Sequence, residues 1–244
     1  MTLEMIKTPT EAEHACWSCG DMRAAQFCGS CGKVQPPVPV DYFSFFGLPK
    51  KLNLDVAALE KDFYLLSRKL HPDVYARAGE KEREWSEEQS SRLNDAYRTL
   101  KDPIKRTEYL LKLEGVELEE QSKSATEQAR ATGQQKKQVV PPALLEEVFE
   151  LNLQLEEMRM GKKMGERDEQ LAKDLESHKQ KLEKDFDALT EELKTHWHQW
   201  DKSIDQASIS EEERKQIRGK MVDLLNRRSY YRNLVRDVNE ALEN

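Results

Sequence analysis

Ser67–Gly79 reads SRKLHPDVYARAG, a basic run that meets a proline at Pro72. Upstream of it, Leu59, Phe63, Leu66 and Leu70 are separated by four, three and four positions, the step that lines one face of a helix over about 57–70. Pro72 disfavours helical geometry in the residue before it, so that helix ends where His71, Pro72 and Asp73 begin. Leu93, Ala96, Tyr97 and Leu100 mark a second helix. Asp102-Pro103 then supplies a cap and a first-turn proline for a third, which stops near Gly115. The pattern predicts a helical hairpin, opening at Asp41, with a His-Pro-Asp loop at its tip.

Composition limits what surrounds this hairpin. Of 244 residues, 37% are apolar and 35% charged, which suits several slim helical units better than one deep core. The net charge of −7 argues against broad electrostatic binding of nucleic acid, which needs a basic face. The short pairs Lys136-Lys137 and Lys162-Lys163 read as solvated charge. No apolar run approaches the ~20 residues of a membrane span. The opening MTLEMIKTPTEAEHA has neither a signal-peptide core nor the character of a transit peptide. The expectation is a soluble, unprocessed intracellular chain.

All four cysteines fall between Cys16 and Cys31, as CWSCG and CGSCG. Two CxxC pairs can bring four thiolates to one tetrahedral ion, and four protein ligands leave no open position, so a structural zinc is the favoured reading for Cys16, Cys19, Cys28 and Cys31. Gly20 and Gly32 tolerate the backbone angles of tight knuckles. Two disulfides or a redox pair are the competing readings. On the zinc reading, chelation unfolds residues 16–32 and leaves the later helices intact.

The organisation that follows is a polar tail (1–15), a four-cysteine knuckle (16–33), a proline-rich spacer (34–40), the hairpin unit (41–115), a polar linker (116–140) with too few apolar side chains to offset its ordering entropy, and a C-terminal helical region (141–244). In the last, Leu144, Val148, Leu151, Leu155 and Met158 form one seam and Leu171 to Ile204 a second. The third runs from Ile217 to Leu242, behind a capping box at Ser210 and Glu213. Three seams predict a three-helix bundle or antiparallel coiled coil. The fold class is thus mainly α. THWHQW (195–200) reads as packing by Trp197 and Trp200, because His196 and His198, two apart, diverge on a helix.

Leu145, Phe149 and Leu153 lie roughly 100° to 180° around the helix from the first seam, on a face shared with Glu146, Glu150 and Glu157. A buried helix can use both faces. Otherwise this is an exposed apolar strip with an acidic border, the mark of a partner site. In the last helix Tyr231 sits within its seam and Tyr230 points roughly opposite.

DYFSFFGLP (41–49), the helix ending RKLHPD and RLNDAYRTLKDPIKRTEYL (92–110) together resemble a J domain, the module that recruits and stimulates DnaK-type chaperone ATPases. The resemblance implies that His71, Pro72 and Asp73 dock on the chaperone, that Arg68 and Lys69 supply positive charge, and that hydrolysis happens in the partner. Lys61, Arg68 and Lys69 only slightly outnumber Glu60 and Asp62, so electrostatic steering is modest. The four-cysteine knuckle, RTEYLLKLEGV and LLEEVFELNLQLEE extend the likeness to the HscB co-chaperones of iron-sulfur cluster assembly. That family implies an HscA-type chaperone, an IscU-type cluster scaffold held at Leu145, Phe149, Glu150, Leu153, Glu157 and Tyr230, and no catalysis by the chain itself. Leu153 stands where relatives often have an acid, and Ser229 where an Arg is common, with Arg227 and Arg228 nearby. The implied location is cytoplasmic, or the mitochondrial matrix for a eukaryotic source. A general J-protein serving other clients and a zinc-knuckle nucleic-acid binder are the alternatives. Homodimerisation through the first helices or the bundle stays open.

Overall fold

The computed structural model describes residues 15–22, 26–116, 118, 145–165, 168–206 and 209–243. Most of the polar tail, nearly all of the linker, Pro141-Pro142 and Leu144 lie outside them. The chain divides into two compact units, Met1–Leu110 and Leu111–Asn244. The described residues are mainly helical and contain no strand beyond one isolated bridge between Phe27 and Val34.

The first unit is built on a hairpin of α2 (Val56–Leu70) and α3 (Glu80–Lys101), preceded by the short α1 (Tyr42–Phe45) and followed by α4 (Pro103–Leu113). Aspartates fix three of the four starts. Asp41 accepts from the Ser44 amide, Asp55 from those of Ala57 and Ala58, and Asp102 from those of Ile104 and Lys105, meeting N–H groups that have no partner within the helix. Leu59 and Leu70 of α2 are buried with Leu93, Ala96 and Leu100 of α3. Phe63 and Tyr97 stack with centroids 4.1 Å apart, and the Tyr97 hydroxyl donates to Glu60 at 2.8 Å. The buried Phe43 of α1 stacks on Tyr109, and the Tyr109 hydroxyl accepts from the Tyr42 amide at 3.0 Å.

The segment 34–40 lies along α3. Val34 and Gln35 are buried, and the Arg92 guanidinium donates to the carbonyls of Val38, at 2.6 Å, and Val40.

In the second unit α5 (Leu145–Met164), α6 (Glu169–Asp205) and α7 (Glu211–Glu243) each pack on the other two. The 37 residues of α6 are unbroken, a rod of about 55 Å. Asp168 caps it through the amides of Gln170 and Leu171. Ser210 and Glu213 exchange hydrogen bonds in a capping box at the start of α7. Lys181–Glu147 and His178–Gln154 contacts set α5 antiparallel to α6. Leu171, Leu175, Leu182, Leu189, Leu193, Trp197 and Trp200 form the buried seam of α6, as the spacing predicts, but Ile204, in its last turn, is exposed.

Trp200 is among the largest fully buried side chains. Trp200→Ala is therefore expected to cost the second unit about 3 to 5 kcal/mol, read as a shifted denaturant midpoint for the bundle while the first unit's transition stays in place.

Candidate functional site

The knuckle residues build the same turn twice. The Cys16 amide donates to the Asp21 carbonyl and the Gly20 amide to the Cys16 carbonyl; Cys28, Lys33 and Gly32 repeat the pattern, with all four bonds between 2.8 and 3.0 Å. Gly20 and Gly32 sit at φ of 79° and 71°, the left-handed region where a side chain is disfavoured. These turns leave all four Sγ atoms within 4.8 Å of one another, with Cys16–Cys31 at 3.6 Å and Cys19–Cys28 at 3.5 Å. Thiolates about 2.3 Å from one tetrahedral ion stand about 3.8 Å apart, so the cluster fits a metal ion at its centre. Burial opposes ionisation of Cys16, yet the amides of Cys19 and Ser18 and the neighbouring thiols bring it down to about 6. The Asp21 amide works to lower Cys19, but Cys28, burial and the other thiols push it up to about 12. A cation held by the four sulfurs would displace the protons they share.

The α5 face opposite the bundle seam is open. Val148, Leu151, Leu155 and Met158 are buried, whereas Leu145, Phe149 and Leu153 are 53%, 66% and 53% exposed. Glu150 and Glu157 are exposed beside them. Tyr230 corrects the sequence reading, because it is 6% exposed and burial pushes its phenol up. The reason is that α7 packs on both α5 and α6, so its covered sector is wider than one seam. Tyr230, Leu234 and Ala241 form a second buried row beside Tyr231 and Val238.

At the tip of the hairpin, His71 has left the helix, with φ −60° and ψ 129°, the extended geometry a following proline imposes. Pro72–Tyr75 form one 3-10 turn. Its start is capped from within, since His71 Nδ1 accepts from the Asp73 amide at 3.3 Å. The His71 and Asp73 side chains are 55% and 91% exposed, while Tyr75 is buried beneath. Arg68 and Lys69 are exposed on the preceding turn. With more than half of the imidazole in solvent, this is a presented loop. The family model of the DnaJ domain matches residues 41–109.

Residues 41–109 are a DnaJ domain.

Wider comparisons extend past this domain. The chain is 36% identical over 143 residues to an iron-sulfur cluster co-chaperone protein HscB homolog of Arabidopsis thaliana, covering 58% of this chain and 51% of that protein. Over 111 residues it is 40% identical to the iron-sulfur cluster co-chaperone protein HscB of Mus musculus, covering 43% and 47%. Over 79 residues it is 46% identical to a co-chaperone protein HscB homolog of Vibrio cholerae, covering 32% and 46%. The chain spans about half the length of these curated relatives. The crystal structure of human co-chaperone protein HscB shares the fold, with a TM-score of 0.57 over 93% of this chain and 98% of that one at 24% identity.

Sequence reading did not find the residues joining the knuckle to the DnaJ domain. Lys33 Nζ meets Glu82 at 2.9 Å, Trp17 packs edge-on to Trp85 at 5.6 Å, and Gln89 Nε2 donates to the Gln35 carbonyl at 2.7 Å. Polar partners have no apolar period; Trp85, a single aromatic set among charged neighbours, is the signal available. If the four thiols hold one ion, metal analysis of reduced protein finds one equivalent per chain and Cys28→Ser loses it; an unchanged metal content in that variant would remove the site.

Proposed function

We propose that this chain is an HscB-type co-chaperone: its His71-Pro72-Asp73 loop stimulates the ATPase of an HscA/DnaK-type chaperone, and α5 holds an IscU-type iron-sulfur scaffold for delivery. The observation that carries the reading is one chain pairing a DnaJ domain, whose His-Pro-Asp loop is exposed, with a bundle helix whose outer face is apolar and acid-bordered. Named relatives of both plant and bacterial origin described as HscB co-chaperones support it. Arg68 and Lys69 add local positive charge to the chaperone contact. Leu145, Phe149 and Leu153 supply the apolar centre of the scaffold contact, with Glu150 and Glu157 on its rim; Tyr230 lies beneath the surface of α7 and contributes to packing. The knuckle's ion is zinc, held by Cys16, Cys19, Cys28 and Cys31, and its chemistry is to cross-link two turns that lack a core of their own. The chain performs no catalysis. It works in the cytoplasm, or in the mitochondrial matrix of a eukaryote.

His71→Gln is expected to abolish stimulation of the chaperone's single-turnover ATP hydrolysis while leaving the helical content and melting temperature of the protein as they are. Full stimulation by the variant would overturn the loop's role. Phe149→Ala is expected to weaken scaffold binding by about 1 to 4 kcal/mol, the range of an interface anchor, in titration calorimetry. Retained affinity there would move the contact off α5.

A further inference from the structure

We propose that the metal-loaded knuckle braces the His-Pro-Asp loop, so that metal occupancy sets how well the loop and the first turns of α3 are ordered. The observation behind this is where α3 gets its support. Its N-cap residue, Gly79, makes no side-chain capping bond, unlike the aspartates that start α1, α2 and α6. An uncapped helix start leaves amides unpartnered and frays readily. What holds these turns is on the knuckle side. Glu82 is buried against Lys33, Trp85 takes the edge of Trp17, and Gln89, 2% exposed, donates to Gln35, 3% exposed.

The same helix holds the loop. Between Glu82 and Gln89 on one face of α3, Ser86 donates to the Leu70 carbonyl at 2.7 Å, immediately before His71. On α2, Lys69 lies over the ring of the knuckle's Phe27 at 5.8 Å. Both flanks of the loop are therefore tied to the knuckle, one through α3 and one directly.

The knuckle keeps its shape through its thiols. Gln35, whose carbonyl accepts from Gln89 of α3, also donates through its side-chain Nε2 to Cys16 Sγ at 3.4 Å, and Trp17, between two ligands, donates to the Val34 carbonyl at 2.7 Å. Among the described residues of 16–34 only Cys16, Cys28 and Val34 are buried apolar side chains, too few to order the turns without a cross-link; for such a site metal binding is folding. Releasing the ion frees the partners of Glu82, Trp85 and Gln89 together. Removal of metal is thus expected to reach past residue 32 into the DnaJ domain, contrary to the separable knuckle that spacing alone suggests. Any effect on chaperone stimulation rests on the function proposed above; the brace itself does not.

The test is hydrogen exchange read by mass spectrometry on the full chain, zinc-loaded or chelated under reducing conditions, with no chaperone present. The amides of residues 70–89 are expected to exchange at least about tenfold faster without zinc, while those of α6 keep their protection. Free exchange across 16–35 with unchanged rates at 70–89 would overturn the brace. Where chelation unfolds the whole first unit, the zinc-loaded double variant Trp17→Ala, Glu82→Gln decides. Retention of one zinc with faster exchange at 70–89 supports the proposal, and wild-type rates there refute it. Because no ATPase is read, this failure is distinguishable from loss of the co-chaperone function.

Discussion

The position of the exposed loop depends on how one buried carbonyl is satisfied. Leu70 ends α2, and the proline two residues later forces the chain out of the helix. The Val74 amide, which a continued helix would send to Leu70, instead donates to the His71 carbonyl at 2.9 Å. The buried Leu70 carbonyl takes its hydrogen from Ser86 of α3. A buried acceptor without a partner is costly, so this bond fixes where the hairpin turns. His71 and Asp73 stand outward because the backbone below them has its hydrogen bonds supplied from α3.

Helix α3 therefore serves two masters on adjoining faces: apolar residues for α2, and the polar series Glu82, Ser86 and Gln89 for the knuckle and the loop base. Helix α5 is divided in a comparable way, with Val148, Leu151 and Leu155 turned to the bundle and Leu145, Phe149 and Leu153 to solvent. An open apolar row of that length on a helix already packed along its other side has no role in the bundle's own stability. In the proposed function it is the surface that recognises cargo. The two units then divide the work chemically, one presenting a polar loop and the other an apolar row.

Much of this was readable from residue order. Apolar steps of three and four located the α2–α3 hairpin and the α6 seam, and proline and aspartate marked their ends, since those signals depend on backbone physics local to a few residues. The CxxC spacing located the thiol cluster because ligand geometry limits the spacing. Tyr230 escaped this logic: a one-seam wheel assumes one neighbour, while α7 has two. The knuckle's attachment escaped it too, because the buried Gln35, Glu82 and Gln89 and the exposed Lys33 are joined by hydrogen bonds and charge, which leave no hydrophobic rhythm. Gly79 offered no cap, a hint that α3 begins on borrowed support, but only the packed structure shows the lender.

In the proposed function the His-Pro-Asp loop and the α5 face address different partners. A hydrogen-exchange footprint of the full chain with an ATP-bound DnaK-type chaperone tests it most directly. Protection is expected at the end of α2 and residues 71–75 alone, with α5 exchanging as in the free protein. Protection over 145–160 with none at the loop would contradict it.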